Sequence, residues 1–172
     1  MQPSDYLTVL NILVAFLGVL FVVFTMIEWW ALRRLRKNFQ DLENRIREEN
    51  HASMRAAHRI ISSYAVKDVD ARISLLESAL SEFPTAFNGY NSLGYAYLEK
   101  GDTAQAIDAF RRAVELFPHD KAGYCDLASA YLAAGQKELA VKYLRGAIRA
   151  DPAAKQDIAG DARFKELWPS LI

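Results

Sequence analysis

The fold is decided by two consecutive stretches of equal length: FNGYNSLGYAYLEKGDTAQAIDAFRRAVELFPHD (residues 87–120) and KAGYCDLASAYLAAGQKELAVKYLRGAIRADPAA (residues 121–154). They align without a gap over a period of 34 residues. The recurring pairs are Tyr90 with Tyr124, Leu93 with Leu127, Tyr97 with Tyr131, Gly101 with Gly135, Ala106 with Ala140, Ala113 with Ala147 and Pro118 with Pro152. A period of this length is typical of stacked helix–turn–helix units that bury a shared core.

The recurring residue types closely resemble the pattern of the tetratricopeptide repeat family. The first unit supplies Tyr90, Leu93, Gly94, Tyr97, Ala106, Phe110, Ala113 and Pro118. The second unit supplies Tyr124, Leu127, Ala128, Tyr131, Ala140, Leu144, Ala147 and Pro152. The resemblance implies an all-α solenoid in which small residues lie where two helices cross, because large side chains there would push the backbones apart.

The residues on either side extend the solenoid. Leu76, Ala79 and Pro84 match the second half of a unit, so residues 65–86 are predicted to form a degenerate half-repeat. We expect its first helix to continue from the preceding segment, although Ile60 occupies a position where the family has a small residue. Residues 155–172 are predicted to form a cap over the last apolar edge, as terminal solenoid units require. The apolar residues available for this cap are Phe164, Leu167 and Trp168.

The N-terminal region predicts a membrane anchor. Residues 7–27 contain 21 residues without a charge, a helix of about 31 Å and long enough for a hydrocarbon core of about 30 Å. Residues 1–6 lack the basic start of a cleaved signal peptide and are predicted to lie outside the membrane. Trp29 and Trp30 then mark an interface, and Arg33, Arg34, Arg36 and Lys37 follow. The positive charge predicts a single-pass protein with its N-terminus outside and the repeats in the cytoplasm.

Two patterns, one within the membrane span and one directly after it, share one helical register. Within the span, small or polar residues line one side, a pattern that lets helices pack closely. Beyond it, residues 28–64 are predicted to form a helical neck with a short coiled-coil seam. The packing face comprises Asn11, Ala15, Gly18, Thr25, Glu28, Leu32, Leu35, Phe39, Leu42 and Ile46. Three partners are open for this face: a second copy of the chain, another membrane subunit, or lipid.

No catalytic, metal or cofactor site is predicted. His51 and His58 lie seven residues apart, whereas helical metal pairs need a spacing of three or four. Cys125 has no neighbouring base, and the chain contains no glycine-rich phosphate loop. Basic and acidic residues are mixed, with a formal net charge of zero, so we expect no nucleic-acid partner.

The family resemblance places a groove for partners along the first helix of each unit. The residues it places there are Asn88, Asn91, Tyr95, Leu98, Ala122, Cys125, Ser129 and Leu132. These positions include asparagines but no basic residue, so a clamp for a C-terminal carboxylate is not expected. Two alternatives stay open: Asn91 and Tyr95 contact an extended or helical peptide, or two and a half repeats form too shallow a groove and the domain binds through its convex or terminal surfaces.

The sequence thus predicts a non-enzymatic membrane adaptor with protein partners. Its arrangement is similar to that of bacterial proteins with an N-terminal anchor and cytoplasmic tetratricopeptide repeats, which suggests the bacterial inner membrane. The alternative is an accessory subunit held in a larger transport, respiratory or envelope-assembly complex by its span and neck.

Overall fold

The computed structural model describes residues 3–171, with side chains from Leu7 onward except Val9. The predicted outer segment 1–6 therefore lies outside the described side chains, as does Ile172 of the predicted cap. The chain divides into two units, Met1–Asn50 and His51–Ile172. The first consists of helix α1 (Pro3–Ser63) up to residue 50, and the second contains the last turns of α1 and all later elements.

Within residues 3–50 the backbone is helical throughout, because no proline follows Pro3 and the single glycine, Gly18, does not interrupt the helix. Every described side chain in this range is exposed to solvent. One helix has no second element in its unit on which to bury its apolar side chains.

The second unit is built from consecutive pairs of helices, with no strand among the residues described. After α1 the elements are α2 (Val69–Glu82), α3 (Gly89–Lys100), α4 (Thr103–Leu116), α5 (Lys121–Ala133), α6 (Lys137–Ala150) and α7 (Ala154–Gly160). Two 3₁₀ turns, Ala162–Phe164 and Trp168–Ser170, complete it. Each helix packs on the next from α2 to α7, so the predicted all-α class of a long N-terminal helix followed by a short solenoid is confirmed.

Capping residues and glycines set the helix boundaries. The carboxylates of Asp68, Asp102 and Asp120 accept hydrogen bonds from backbone N–H groups in the first turns of α2, α4 and α5. Gly101 ends α3 with a φ of 87°, and Gly135 lies in the turn between α5 and α6 with a φ of 75°. Both angles fall in the left-handed region, in which glycine is unstrained. The turn between the two helices of each full unit is therefore fixed by sequence.

Size matching at the helix crossings explains the core. A Cβ on Gly94 would lie 2.6 Å from the ring of Phe110, so only glycine allows this ring to sit against α3. The upstream half-repeat differs at the matching positions, since Ile60 stands in place of the glycine and Leu76 in place of the ring, and both are buried. The half-repeat therefore packs two branched aliphatic side chains where the full unit packs a glycine against a ring.

Ionic contacts and the cap complete the unit. The Glu82 carboxylate at the end of α2 accepts hydrogen bonds from Arg55 and Arg59 in the last turns of α1. At the other end, Phe164 and Leu167 are buried in the same cluster as residues of α5 and α6. The final turns are held further by Arg145, which donates to the Ser170 carbonyl at 2.8 Å.

Candidate functional site

The predicted groove residues lie on α3 and α5, which are successive first helices of the two full units. Tyr95 is 49% exposed, and Asn88 and Ala122 are also exposed. Asn88 precedes α3 in a left-handed conformation with φ of 60°. The remaining predicted residues are partly buried: Asn91, Leu98, Cys125, Ser129 and Leu132. The exposed and partly exposed members form a mixed polar and apolar surface rather than a closed pocket.

Tyr95 joins the two helices that carry these residues. Its hydroxyl donates a hydrogen bond to the Asp126 carboxylate, and its ring packs edge-on against Phe110 with centroids 5.2 Å apart. Burial raises the pKa of Asp126 above its usual value, and the Tyr95 hydroxyl and the charge of Arg163 oppose this shift. Burial, together with this carboxylate, also raises the pKa of Tyr95. The tyrosine therefore stays neutral and acts as a hydrogen-bond donor.

Arg163 brings a positive charge to this surface from the C-terminal cap. Asp161 accepts hydrogen bonds from its guanidinium, the shortest being 2.6 Å, and the group lies 5.1 Å from the ring centre of Phe164. Its charge interacts with both Tyr95 and Asp126. Sequence reasoning missed Asp126 and Arg163. Asp126 is adjacent to a predicted groove position, but Arg163 lies outside the 34-residue period and no local signal placed it.

A cleft of about 190 Å³ lies beside this cluster, between α5 and the cap. It is lined by Lys121, Ala122, Cys125, Ala154, Asp157, Ile158, Asp161, Arg163 and Phe164. At its rim the Lys121 ammonium pairs with Asp151 at 2.9 Å and Asp157 at 2.8 Å, and these partners raise its pKa. The cleft thus combines an apolar floor with a rim of paired charges.

Cys125 lies in the floor of this cleft as a protonated thiol. Burial raises its pKa to about 11, and the charge of Asp126 adds to the shift. A thiol needs its thiolate form to act as a nucleophile, so the environment suppresses its reactivity. Among residues 3–171, no group of three or more His, Cys, Asp or Glu side chains is placed to hold a metal ion.

Asn91 offers the one groove side chain with a buried, unpaired acceptor. Its Oδ1 atom is inaccessible to solvent and has no hydrogen-bond partner in the described part of the chain. The atom lies opposite Gly123 of α5, 4.0 Å from where a Cβ would sit. An unpaired buried carbonyl is costly, so this atom marks a polar group that the packing of α3 against α5 leaves unsatisfied.

The predicted packing face is located entirely on α1 within residues 7–50. Asn11, Gly18 and Thr25 follow one another at seven-residue spacing, and all predicted members of this face are exposed. The Thr25 hydroxyl donates to the Val22 carbonyl at 2.8 Å, so it is satisfied within the helix. Nothing lies within 4 Å of a Cβ added to Gly18. The face is therefore accessible to a partner helix along its whole described length.

Comparison with known proteins identifies the repeats. Residues 68–121 and 97–159 match two family models, each described as tetratricopeptide repeat, and together they cover more than half of the chain. No curated protein matches the sequence. The similarity to known proteins is therefore carried by the repeats.

Several solved structures have the same fold. The crystal structure of MamA is 21% identical with a TM-score of 0.54, and the match covers 60% of this chain and 61% of that chain. A mutant O-GlcNAc transferase of Thermobaculum terrenum is 22% identical with a TM-score of 0.55, covering 66% of this chain and 22% of that chain. The Yersinia enterocolitica type III secretion translocator chaperone SycD is 15% identical with a TM-score of 0.50, covering 69% of this chain and 84% of that chain. The matched region thus spans about three fifths of MamA, and at these identities the likeness concerns the fold.

Proposed function

Because the chain belongs to the tetratricopeptide repeat family, we propose that it is a non-catalytic protein-interaction scaffold that a single N-terminal helix holds at a membrane. The repeat unit recruits or stabilises protein partners at the cytoplasmic face, in keeping with the anchored bacterial arrangement that the sequence resembles. SycD, one of the structures with this fold, is described as a chaperone, which supports a role in binding other proteins.

The observation that carries the membrane proposal is the exposed apolar surface of α1. The side chains of Leu17 and Phe21 are 63% and 68% exposed, and the other described side chains of the uncharged stretch are also exposed. By length and composition this helix is able to cross a bilayer. In hydrocarbon a helix satisfies its own backbone hydrogen bonds, so a bilayer covers this surface without any partner chain. The basic residues beyond Trp30 support a cytoplasmic location for residues 31–172.

The proposed partner surface runs from Asn91 and Tyr95 to the cleft beside Cys125. A peptide lying there meets the half-exposed Tyr95, a mixed-charge cluster at Asp126 and Arg163, and the apolar lining of the cleft beyond. These features favour a peptide with an exposed backbone N–H near an apolar side chain. A clamp for a terminal carboxylate fits less well, because Asp161 already pairs with Arg163.

A second candidate function is an accessory subunit of a larger membrane complex. It is favoured by the exposed packing face, in which seam residues such as Leu35 and Leu42 continue the small-residue stripe of the span. Glu28 shares this face and has no ion-pair partner within residues 10–50. A cation on a neighbouring subunit would neutralise this carboxylate at the membrane edge.

The full-length chain, extracted in a gentle detergent, tests both candidates through the proteins that co-purify with it. We expect at least one stoichiometric partner, and its absence would contradict the scaffold. Loss of the partner with Tyr95→Ala and Arg163→Gln, but not with Lys142→Gln on the exposed part of α6, would assign binding to the groove.

Substitutions in the span separate the two functions. Asn11→Leu with Gly18→Leu fills the small-residue stripe, and an anchored adaptor keeps its partner whereas an accessory subunit loses it. The matched control is Val19→Leu with Val23→Leu, which adds bulk on other sides of the same helix. Loss of the partner in the control as well would mean that the span does not act through the stripe.

A further inference from the structure

Four basic residues lie within five positions of α1, directly after the uncharged stretch. Arg33, Arg34, Arg36 and Lys37 are all exposed. From Ile27 to Arg33 the helix rises about 9 Å, and the polar layer of one leaflet is about 5–8 Å deep. In a helix that spans the bilayer with residues 7–27, the backbone of Arg33 and Arg34 therefore lies just beyond this layer, and their long side chains, which tilt toward the helix N-terminus, reach back to the lipid phosphates.

Two tryptophans orient two of these cations. The Arg33 guanidinium lies 5.0 Å from the ring centre of Trp29, and that of Arg34 lies 5.5 Å from the ring centre of Trp30. The four-residue spacing of each pair stacks them along the helix. A guanidinium held by its face against an indole keeps its N–H edge free, and this edge matches the paired oxygens of a phosphate.

The protein supplies no anion for this cluster. Between residues 10 and 50 the ion pair present is Arg47 with Glu43, at 3.2 Å. None of the four cations pairs with a carboxylate in the described part of the chain. No other element of the described residues 3–50 packs over these side chains. The cluster is therefore unneutralised and has room for a polar headgroup.

We propose that the cluster of Trp29, Trp30, Arg33, Arg34, Arg36 and Lys37 is a binding site for the phosphate of an anionic phospholipid. The inference rests on the proposed membrane anchor, and it adds a ligand class and a site to that anchor. The tryptophans fix the depth of the helix, and the arginines grip the phosphate through paired N–H groups. Free phosphate has the same chemistry, but the position next to the uncharged stretch favours a lipid.

Quenching of Trp29 and Trp30 by brominated lipids tests the site in the full-length chain. Trp168→Phe leaves only these two tryptophans as fluorophores. The chain is reconstituted in mixed phosphatidylcholine and phosphatidylglycerol vesicles, with the bromine on one lipid or the other at equal mole fraction. We expect stronger quenching when phosphatidylglycerol carries the bromine, because each basic residue near the surface favours anionic lipid roughly fivefold.

Three variants assign this preference to the cluster. Arg33→Gln with Arg34→Gln lowers it several-fold. Arg45→Gln with Arg47→Gln, which removes two charges further along the same helix, leaves it unchanged. Arg33→Lys with Arg34→Lys keeps the charge but should lose part of the preference, because an ammonium group cannot make the paired N–H contacts of a guanidinium. A similar loss in the first two variants would contradict a defined site.

The remaining outcomes separate this inference from the anchor on which it rests. Equal quenching by both brominated lipids would overturn the lipid site but leave the anchor intact. The basic cluster would then be a site for an acidic protein instead. Absence of quenching by either lipid, with release of the chain from the vesicles at alkaline pH, would overturn the anchor itself. Loss of the preference on adding inorganic phosphate at constant ionic strength would assign the site to free phosphate and overturn the lipid.

Discussion

Helix α1 contains two stretches that are both helical but lie in opposite environments. In residues 7–50 all described apolar side chains are exposed, whereas in residues 51–63 Ala56 is 0% and Ile60 is 4% exposed. The later stretch is buried because α2 brings Ile73 and Leu76 to the same cluster. Helix formation is thus a local property of this sequence, but burial depends on whether a second element is present.

The comparison indicates what each stretch requires from its surroundings. The helices of the repeat unit bury one another's apolar side chains, and the cap covers its end. The stretch before residue 50 exposes far more contiguous apolar surface than a soluble chain tolerates. This stretch requires lipid or another protein to cover it, whereas the repeat unit does not. The membrane anchor proposed for this stretch and the partner surface proposed for the repeat unit are therefore separate proposals.

The largest difference in the free energy of unfolding is expected from truncating a buried aromatic ring. Phe110→Ala should destabilise the repeat unit by about 3–5 kcal/mol, because it removes a fully buried side chain and leaves a cavity against Gly94. Leu42→Ala in the neck should change it by less than about 0.5 kcal/mol. Urea unfolding of the full-length chain in detergent measures both through Trp168 fluorescence, with Trp29 and Trp30 replaced by Phe. A comparable loss in Leu42→Ala would mean that the neck is buried.

A matched pair of glycines sharpens the same contrast. Gly94→Ala places a methyl group 2.6 Å from the Phe110 ring, and we expect a loss of about 1–3 kcal/mol from overpacking. Gly18→Ala meets nothing within 4 Å and should leave the unfolding of the repeat unit unchanged. The same urea experiment compares them. Tolerance of Gly94→Ala would refute the close approach of α3 and α4.

The reactivity of Cys125 tests how well the repeat unit excludes solvent from its groove. With its pKa raised from 9.0 to about 11, the thiolate population at pH 8 falls about 100-fold. The greater basicity of the thiolate recovers about tenfold, so alkylation should be roughly tenfold slower than for an exposed cysteine. The comparison is Cys125→Ser with Asn38→Cys, which places the thiol on the neck. Equal alkylation rates would contradict the burial of Cys125.

The smallest effect concerns the contact between α1 and α2 inside the repeat unit. Hydrogen bonds from Arg55 hold the pKa of Glu82 below its usual 4.5, with Arg59 contributing further. A lowered carboxyl pKa stabilises the fold above the unfolded value and loses that contribution as the pH falls through the folded value. Glu82→Gln should therefore flatten the fall in the urea midpoint below about pH 4.5. An unchanged slope would mean that this carboxylate does not contribute.

The repeats were predictable because their signals are local and recur. Gly101 and Gly135 adopt the left-handed conformation expected of the turn, and Asp102 caps α4. Ile60 looked like a misfit because one position was considered alone. It is nevertheless buried in the same cluster as Leu76, and whether two helices accommodate such a side chain is visible only when both are placed.

The groove was predictable only in part. The residues on α3 and α5 follow from the repeat pattern, but the charged cluster depends on Arg163, which the cap brings from outside that pattern. The unpaired Asn91 carbonyl likewise depends on the packing of α3 against α5 rather than on sequence spacing. The roles of these residues in partner binding stay predictions.

Alkaline carbonate extraction of membranes containing the full-length chain tests most directly whether a bilayer covers α1. We expect the chain to remain with the membrane pellet, and we expect Leu13→Arg with Leu20→Arg, which places two charges in the span, to release it. Recovery of the unaltered chain in the carbonate supernatant would contradict the account, because the exposed apolar side chains of α1 would then require a protein cover instead.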